Sequence, residues 1–352
     1  MMDTETELDA SINSDPRLKN RTPRRKPSML RQSLSKKETG VFLALLIMCV
    51  FLSVTNEYFL STTNILNIGR QISLLGIMAV GMTFVLVSGE IDLSIGSIYA
   101  LSGLSTGALI VMGWALVPAI ALGLIVGAAA GLVNGLLSTY GRLPSLIATL
   151  GMMSVIRGTA LLMTDGQPVT VNVRNGAQQA TFDAFAAMGQ GYLFGVVPMQ
   201  LVFFALIAIL GWMVLSRTGF GFRLFAVGGS VKAARVSGIH VETAKIWAFI
   251  IMGLLAAFAG ILAMAFLPSG QAGRTGVGLE LDVIAAVVVG GASLSGGTGT
   301  VLGTVFGVLI IGVLRNGLIL SGVSPFTQEV MIGLVIIIAV AIDKWSSHRG
   351  RT

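Results

Sequence analysis

Hydrophobic positions in this chain come in long unbroken runs rather than in alternation. Val41 to Val54 and Leu201 to Leu215 are nearly continuous apolar stretches. Strands of a membrane barrel, which alternate apolar and polar residues over about 10 positions, do not fit that pattern. A membrane-spanning helix needs about 20 mainly apolar residues to cross roughly 30 Å of hydrocarbon. On that ruler the chain predicts ten spans: Gly40 to Leu60, Ile72 to Val87, Ile95 to Met112, Val117 to Tyr140, Pro144 to Met163, Met199 to Leu215, Ile246 to Phe266, Leu281 to Leu294, Thr300 to Leu320 and Gln328 to Asp343. The second and eighth are short, and each runs into a glycine-containing polar break. Eight or nine full spans is the alternative if those two are re-entrant. The pattern therefore predicts an all-α polytopic membrane protein of about ten transmembrane helices, some of them broken.

Composition excludes a water-surrounded alternative. Of 352 residues, 54% are hydrophobic and 11% charged, against roughly 25% charged in an ordinary soluble domain. Too few polar side chains remain to cover a soluble surface. The 45 glycines, set against 9 prolines, favour close helix packing over disorder. Gly123, Gly127, Gly131 and Gly135 recur every fourth residue and make a bare strip on one helix face, as Gly299, Gly303 and Gly307 do later. Asn134-Gly135 precedes Pro144 and Gly151 much as Asn316-Gly317 precedes Pro325 and Gly333. An inverted duplication and a coincidence of generic helix-end residues both account for that spacing.

Charge sets the orientation. Nine basic residues and no acid lie between Arg17 and Lys37, just before the first apolar run. By the positive-inside rule they place the N-terminus in the cytoplasm. A nucleic-acid role for this tail is the weaker reading of the same charges. The tail does not read as a cleavable signal peptide, because it is long and Thr55-Asn56-Glu57 offers no small-residue cleavage pattern. The stretch from Arg217 to Lys245 holds Arg217, Arg223, Lys232, Arg235 and Lys245 against Glu242 alone, while the stretch from Thr164 to Pro198 holds Arg174 with Asp165 and Asp183. Ten spans with both termini cytoplasmic satisfy that asymmetry. The expected organisation is a basic, disordered tail over 1–38, a transmembrane domain over 39–345 and a cytoplasmic tail over 346–352.

Little in the chain reads as catalysis. Cys49 is the only cysteine, so no internal disulfide forms, and His240 and His348 are far apart without clustered carboxylates, so no metal site is expected. The run AAVVVGGASLSGGTGTVLGTVFG, Ala285 to Gly307, lacks the Gly-Lys-Ser/Thr ending of a phosphate loop and reads as a broken helix. No nucleophile, base and orienting acid stand out, so the chain is not expected to be an enzyme or to carry a cofactor.

Two segments carry candidate function. GMTFVLVSGEIDLSIGS, Gly81 to Ser97, places Glu90 and Asp92 between apolar stretches, flanked by Ser88, Gly89 and Ser94. Carboxylates at membrane depth cost about 3 kcal/mol on insertion scales, so they face a cavity, pair, or lie at an interface. One reading is a proton or cation site; the other is a helix break in which Asp92 or Ser94 caps the next helix. The second segment is LFAVGGSVKAARVSGI, Leu224 to Ile239. Gly228-Gly229 breaks the chain, Ser230 suits an N-cap, Val231 to Val236 make about two turns, and Gly238 ends them. It is a solvated loop helix or a knob for a cytoplasmic partner, with Ala233, Ala234 and Val236 buried in that partner and Lys232 and Arg235 at the rim.

These two segments, with PSLIATLGMMSVIRG from Pro144 to Gly158 and VVVGGASLSGGTGTVLGT from Val287 to Thr304, resemble the membrane permeases of bacterial ribose-type sugar ABC importers. The resemblance covers nearly the whole chain after about Lys36 and keeps the motif order. It implies a multi-pass permease homodimer in the lipid of the bacterial inner membrane, with a separate ABC ATPase subunit and a periplasmic sugar-binding protein as partners. It further implies alternating access for a monosaccharide such as ribose or xylose, with Ser230 to Gly238 as the segment that meets the ATPase. Two positions depart from the family: Glu90, often glycine there, and Lys232, often acidic. Candidate pathway groups for a neutral polyol are Ser88, Asn134, Thr149, Ser154 and Gln271, though for each the plainer reading is a helix-packing polar residue. Arg157 and Arg315 read as snorkelling side chains. The rival class is an ion-coupled transporter or channel using Glu90 and Asp92; a membrane scaffold without transport is a third.

Overall fold

A computed structural model describes residues 36–349, so most of the basic tail and the last three residues lie outside the described residues. The described chain is mainly helical. In order, the helices are α1 (Lys36–Thr55), α2 (Thr62–Val87), α3 (Ile95–Val111), α4 (Leu116–Thr139), α5 (Ser145–Thr164), α6 (Gln179–Gln190), α7 (Met199–Arg217), α8 (Gly219–Gly229), α9 (Val231–Val236), α10 (Val241–Phe266), α11 (Leu279–Val289), α12 (Val301–Leu320) and α13 (Pro325–Arg349). Two short antiparallel pairs join loops: β1 (Val169–Thr170) with β4 (Ser269–Gly270), and β2 (Tyr192–Leu193) with β3 (Val197–Pro198).

Each apolar segment expected from the sequence falls on a helix, but the lengths differ. Seven helices among the described residues are long and apolar enough to cross a membrane: α1, α2, α4, α5, α7, α10 and α12. The segment expected at Ile72 starts ten residues earlier, at Thr62, because Asn64, Asn67, Arg70 and Gln71 are carried on the first turns of a 26-residue helix. Asn64 is buried there and exchanges side-chain hydrogen bonds with Asn316 of α12. The eighth expected span shrinks instead: α11 has 11 residues, about 16 Å at 1.5 Å per residue, half the depth of the hydrocarbon.

The core lies around α2 and α10. Ile77, Met78, Val80, Val85 and Val87 of α2 and Ala248, Phe249, Met252 and Ala256 of α10 are fully buried. Helix α10 packs against α2, α3 and α4. The glycine strip on α4 allows that approach: a Cβ on Gly131 would lie 2.2 Å from the Phe249 carbonyl oxygen, and one on Gly127 2.5 Å from that of Gly253. The later strip acts alike, with Gly303 against the Gly290 carbonyl and Gly307 against that of Ala286. Lipid tails supply no hydrophobic drive between helices, so such backbone-to-backbone contact is a main source of packing energy.

Loop hydrogen bonds fall into two groups that alternate along the chain. In one, Asn56 reaches the Leu320 carbonyl, Gln178 reaches Gly113, Val171 reaches Pro268, and Gln271 reaches Gly166. In the other, Ile91 meets Ser145, Glu90 meets Lys245, and Gly297 meets Val87.

Candidate functional site: the interrupted span and the short helix beside it

The break after α2 is built by local backbone rules. Gly89 takes φ +83°; its N–H donates to the Leu86 carbonyl at 2.9 Å, and the Glu90 N–H to that of Val85 at 3.1 Å. That pair of bonds is a Schellman closure, which needs a left-handed residue, hence glycine. The extended stretch that follows has no helix to satisfy it. Helix α5 does so instead: Ser145 Oγ accepts from Ile91 N–H at 3.3 Å and Thr149 Oγ1 from Leu93 N–H at 3.0 Å.

Asp92 is fully buried within this break. Its Oδ1 accepts from the Ser94 N–H at 2.8 Å and the Ser94 hydroxyl at 2.7 Å, and its Oδ2 accepts from Asn134 Nδ2 at 3.1 Å. Asn134 Nδ2 also donates to Ser94 Oγ at 2.8 Å. The capping expectation is corrected here. Ser94 is the N-cap of α3, yet its side chain makes no cap bond; the hydroxyl is turned to Asp92, and the carboxylate ties the break to α4. Of the options open to a carboxylate at this depth, Glu90 takes pairing. It has no basic neighbour in sequence, but Lys245 of α10, 155 positions away, forms an ion pair with it.

The side chains of that pair are 13% and 15% exposed, so removing one member strands a partly desolvated charge. Glu90→Leu and Lys245→Met are each expected to lower thermal stability, and the double variant to lose less than their sum, by about 1 kcal/mol. A thermal-denaturation cycle checks this; additive losses would mean an uncoupled pair.

Three glycine-bearing segments meet at the break. A Cβ on Gly228, at the end of α8, would lie 1.9 Å from the Val87 carbonyl oxygen and 2.5 Å from Gly297 N. A Cβ on Gly296 would lie 2.7 Å from Gly89 Cα. Gly297 N–H donates to the Val87 carbonyl at 3.0 Å. Thus the end of α2, the end of α8 and the loop between α11 and α12 touch backbone to backbone, with no side chain between them.

Helix α9 continues directly from that contact. It spans Val231–Val236, Ser230 Oγ accepts from Ala233 N–H, and Gly238 has φ +78°. One expectation for it changes. Ala234 is 3% exposed and already packed inside its own chain, so it is not available to a partner. Val231, Lys232, Ala233 and Arg235 are exposed, and Val236, at 85%, is the most exposed large apolar residue of α9. Arg235 is held by an ion pair with Glu242.

The five pathway candidates do not converge. Ser88, Asn134 and Thr149 are buried and hydrogen-bonded within the chain. Ser154 and Gln271 are exposed, on α5 and in the loop before α11. The two snorkelling arginines are also reassigned: Arg157 donates to the carbonyls of Ala272 and Thr275, at 2.9 and 2.6 Å, and Arg315 forms an ion pair with Asp282 at 2.8 Å. Their partners lie 33 to 118 positions away in sequence, beyond any local pattern. Among the described residues no group of acids, histidines or cysteine is placed to hold a metal ion.

Long apolar helices and an interrupted span, with a basic short helix continuing from the contact at Gly228, define a polytopic membrane protein. The comparisons with known proteins name the class. Residues 64–340 match the family described as the permease component of the branched-chain amino acid transport system, and the chain belongs to it. Ribose import permease protein RbsC of Bacillus subtilis is 46% identical over 88% of this chain and 94% of its own. The protein of that name from Escherichia coli K12 is 40% identical over 87% and 93%. L-arabinose ABC transporter permease protein AraH of Azospirillum brasilense is 37% identical over 89% of each. No solved structure matches. The resemblance to ribose-type permeases is therefore borne out.

Proposed function

We propose that this chain is the transmembrane subunit of an ATP-driven importer that carries a monosaccharide, ribose or a close relative, into a bacterial cell. The observation that carries this reading is the seat of α9: a short exposed helix joined by backbone contact to the interrupted span. A force applied to α9 from the cytoplasm passes through Gly228 to Val87 and Gly297 without a compliant side chain between. ATP hydrolysis belongs to a separate subunit, and delivery of sugar to a periplasmic binding protein. Two copies of the chain form the permease in the inner membrane.

The ten-helix arrangement with both termini cytoplasmic agrees with the two alternating groups of loops and with the basic residues Arg217, Arg223, Lys232, Arg235 and Lys245 in one of them. Ser154 and Gln271 are the pathway groups kept from the original five, because they alone are exposed. Asn134 and Thr149 are assigned to tying the break to α4 and α5, and Ser88 to closing the end of α2. A weakly binding path suits release, since a tight site would slow exit. The pairing of Glu90 with Lys245 and the enclosure of Asp92 give the ion-coupled alternative no accessible carboxylate at the break.

Val236→Asp tests the ATPase seat. The variant should insert and fold, because Val236 is exposed, yet lose about 90% of its co-purification with the ATPase, the tenfold effect of a buried interface contact worth about 1.4 kcal/mol. Unchanged co-purification would remove α9 from that interface.

A further inference from the structure

A groove of about 480 Å³ opens beside the N-terminal end of α10. Phe220 and Arg223 of α8 line it, with His240 at the N-cap of α10 and Thr243, Trp247 and Ile251 along that helix. Residues 243, 247 and 251 recur every fourth position and share one helix face. The groove therefore has a polar half, Arg223 with His240 and Thr243, and an apolar half, Phe220 with Trp247 and Ile251.

The polar half is suited to an anion. Arg223 is exposed and has no ion pair or hydrogen bond among the described residues. No acidic side chain lines the groove, and the nearby Glu242 is engaged by Arg235. No side chain caps α10, but Glu242 in its first turn takes that residue's own N–H, so the anion-binding groups of the groove are the side chains of Arg223, His240 and Thr243. The apolar half follows α10 into the span. Trp247, 52% exposed, stands within two turns of the helix start, the level at which indole rings sit at a membrane interface.

We infer that this groove binds one anionic phospholipid per chain, with its phosphate on Arg223 beside His240 and Thr243 and an acyl chain along Trp247 and Ile251. A soluble phosphate would use only the polar half. A protein partner at the aqueous end would leave the strip of α10 inside the span uncovered. Basic residues at a membrane surface favour acidic lipid headgroups, and here the cation sits at the mouth of an apolar channel of matching polarity.

Native mass spectrometry of the full chain in detergent, titrated with phosphatidylglycerol, phosphatidylcholine or inorganic phosphate, tests this. One phosphatidylglycerol per chain should be retained, in preference to phosphatidylcholine by about fivefold, and inorganic phosphate should not displace it. Arg223→Ala should erase the preference and Arg223→Lys restore part of it. Arg217→Ala, whose guanidinium stacks on Trp212 outside the groove, should leave it unchanged. Equal retention of the two lipids, displacement by inorganic phosphate, or an unaltered preference in Arg223→Ala would overturn the inference. So would Arg223→Ala releasing the ATPase while keeping its lipid preference, which would give the groove to a protein.

Discussion

Gly228→Ala is expected to abolish sugar uptake and to lower the thermal midpoint of the protein by about 5 °C or more. The added methyl would lie 1.9 Å from the Val87 carbonyl oxygen and 2.5 Å from Gly297 N. Both obstacles are backbone, so no side-chain rotation relieves the clash; the segments must separate. Overpacking of this kind costs about 3 kcal/mol. It also breaks the Gly297 to Val87 hydrogen bond that joins the interrupted span to the loop after α11. The adjacent Gly229→Ala is the matched control. A Cβ there meets nothing within 4 Å and its φ is not left-handed, so uptake and stability should stay near those of the parent. Equal losses at both positions would mean that the three-way contact is not their source, since helix propensity by itself favours alanine over glycine.

At Asp92 the expected result separates structure from ion coupling. Asp92→Leu removes the acceptor for the Ser94 N–H, the Ser94 hydroxyl and Asn134 Nδ2 at a fully buried position. Unsatisfied buried donors cost about 1–3 kcal/mol each, so the variant should lose about 3 kcal/mol and express poorly. Asp92→Asn should be far milder. The introduced amide keeps an oxygen for Ser94, and flipping the Asn134 amide turns its Oδ1, buried without a hydrogen-bond partner, toward the new N–H. Thermal denaturation and ATP-dependent uptake read the difference. If Asp92→Asn keeps its stability but stops uptake, the carboxylate has a charge-dependent role in transport and the structural assignment fails.

The sequence showed most of the helices, because their apolar runs are long and one-dimensional. It also located α9 and both breaks, since glycine, serine capping and left-handed closure are local signals. Two helix lengths differ from those the apolar runs predict, for opposite reasons. Helix α2 begins with Asn64, Asn67, Arg70 and Gln71, polar residues that mimic a loop but are accommodated on a helix whose Asn64 finds a buried partner in Asn316. Helix α11 is followed by residues apolar enough to extend a span, yet the chain turns at Gly290 and Gly291.

The contacts that define the site lay beyond sequence reasoning. Asp92 with Asn134, Glu90 with Lys245 and Arg315 with Asp282 each join residues 33 to 155 positions apart. The burial of Ala234 was equally illegible, because a two-turn helix has too few residues for its periodicity to tell its own chain from a partner. In contrast, the glycine strip on α4 was readable as a strip, and only its partner, α10, required the fold.

The most direct test is uptake of radiolabelled ribose by proteoliposomes holding this chain with its ATPase, supplied outside with the loaded sugar-binding protein. Uptake should require ATP inside the vesicles, persist in the presence of a protonophore, and vanish without the ATPase. Uptake that continues without ATP and collapses with the proton gradient would contradict an ATP-driven permease.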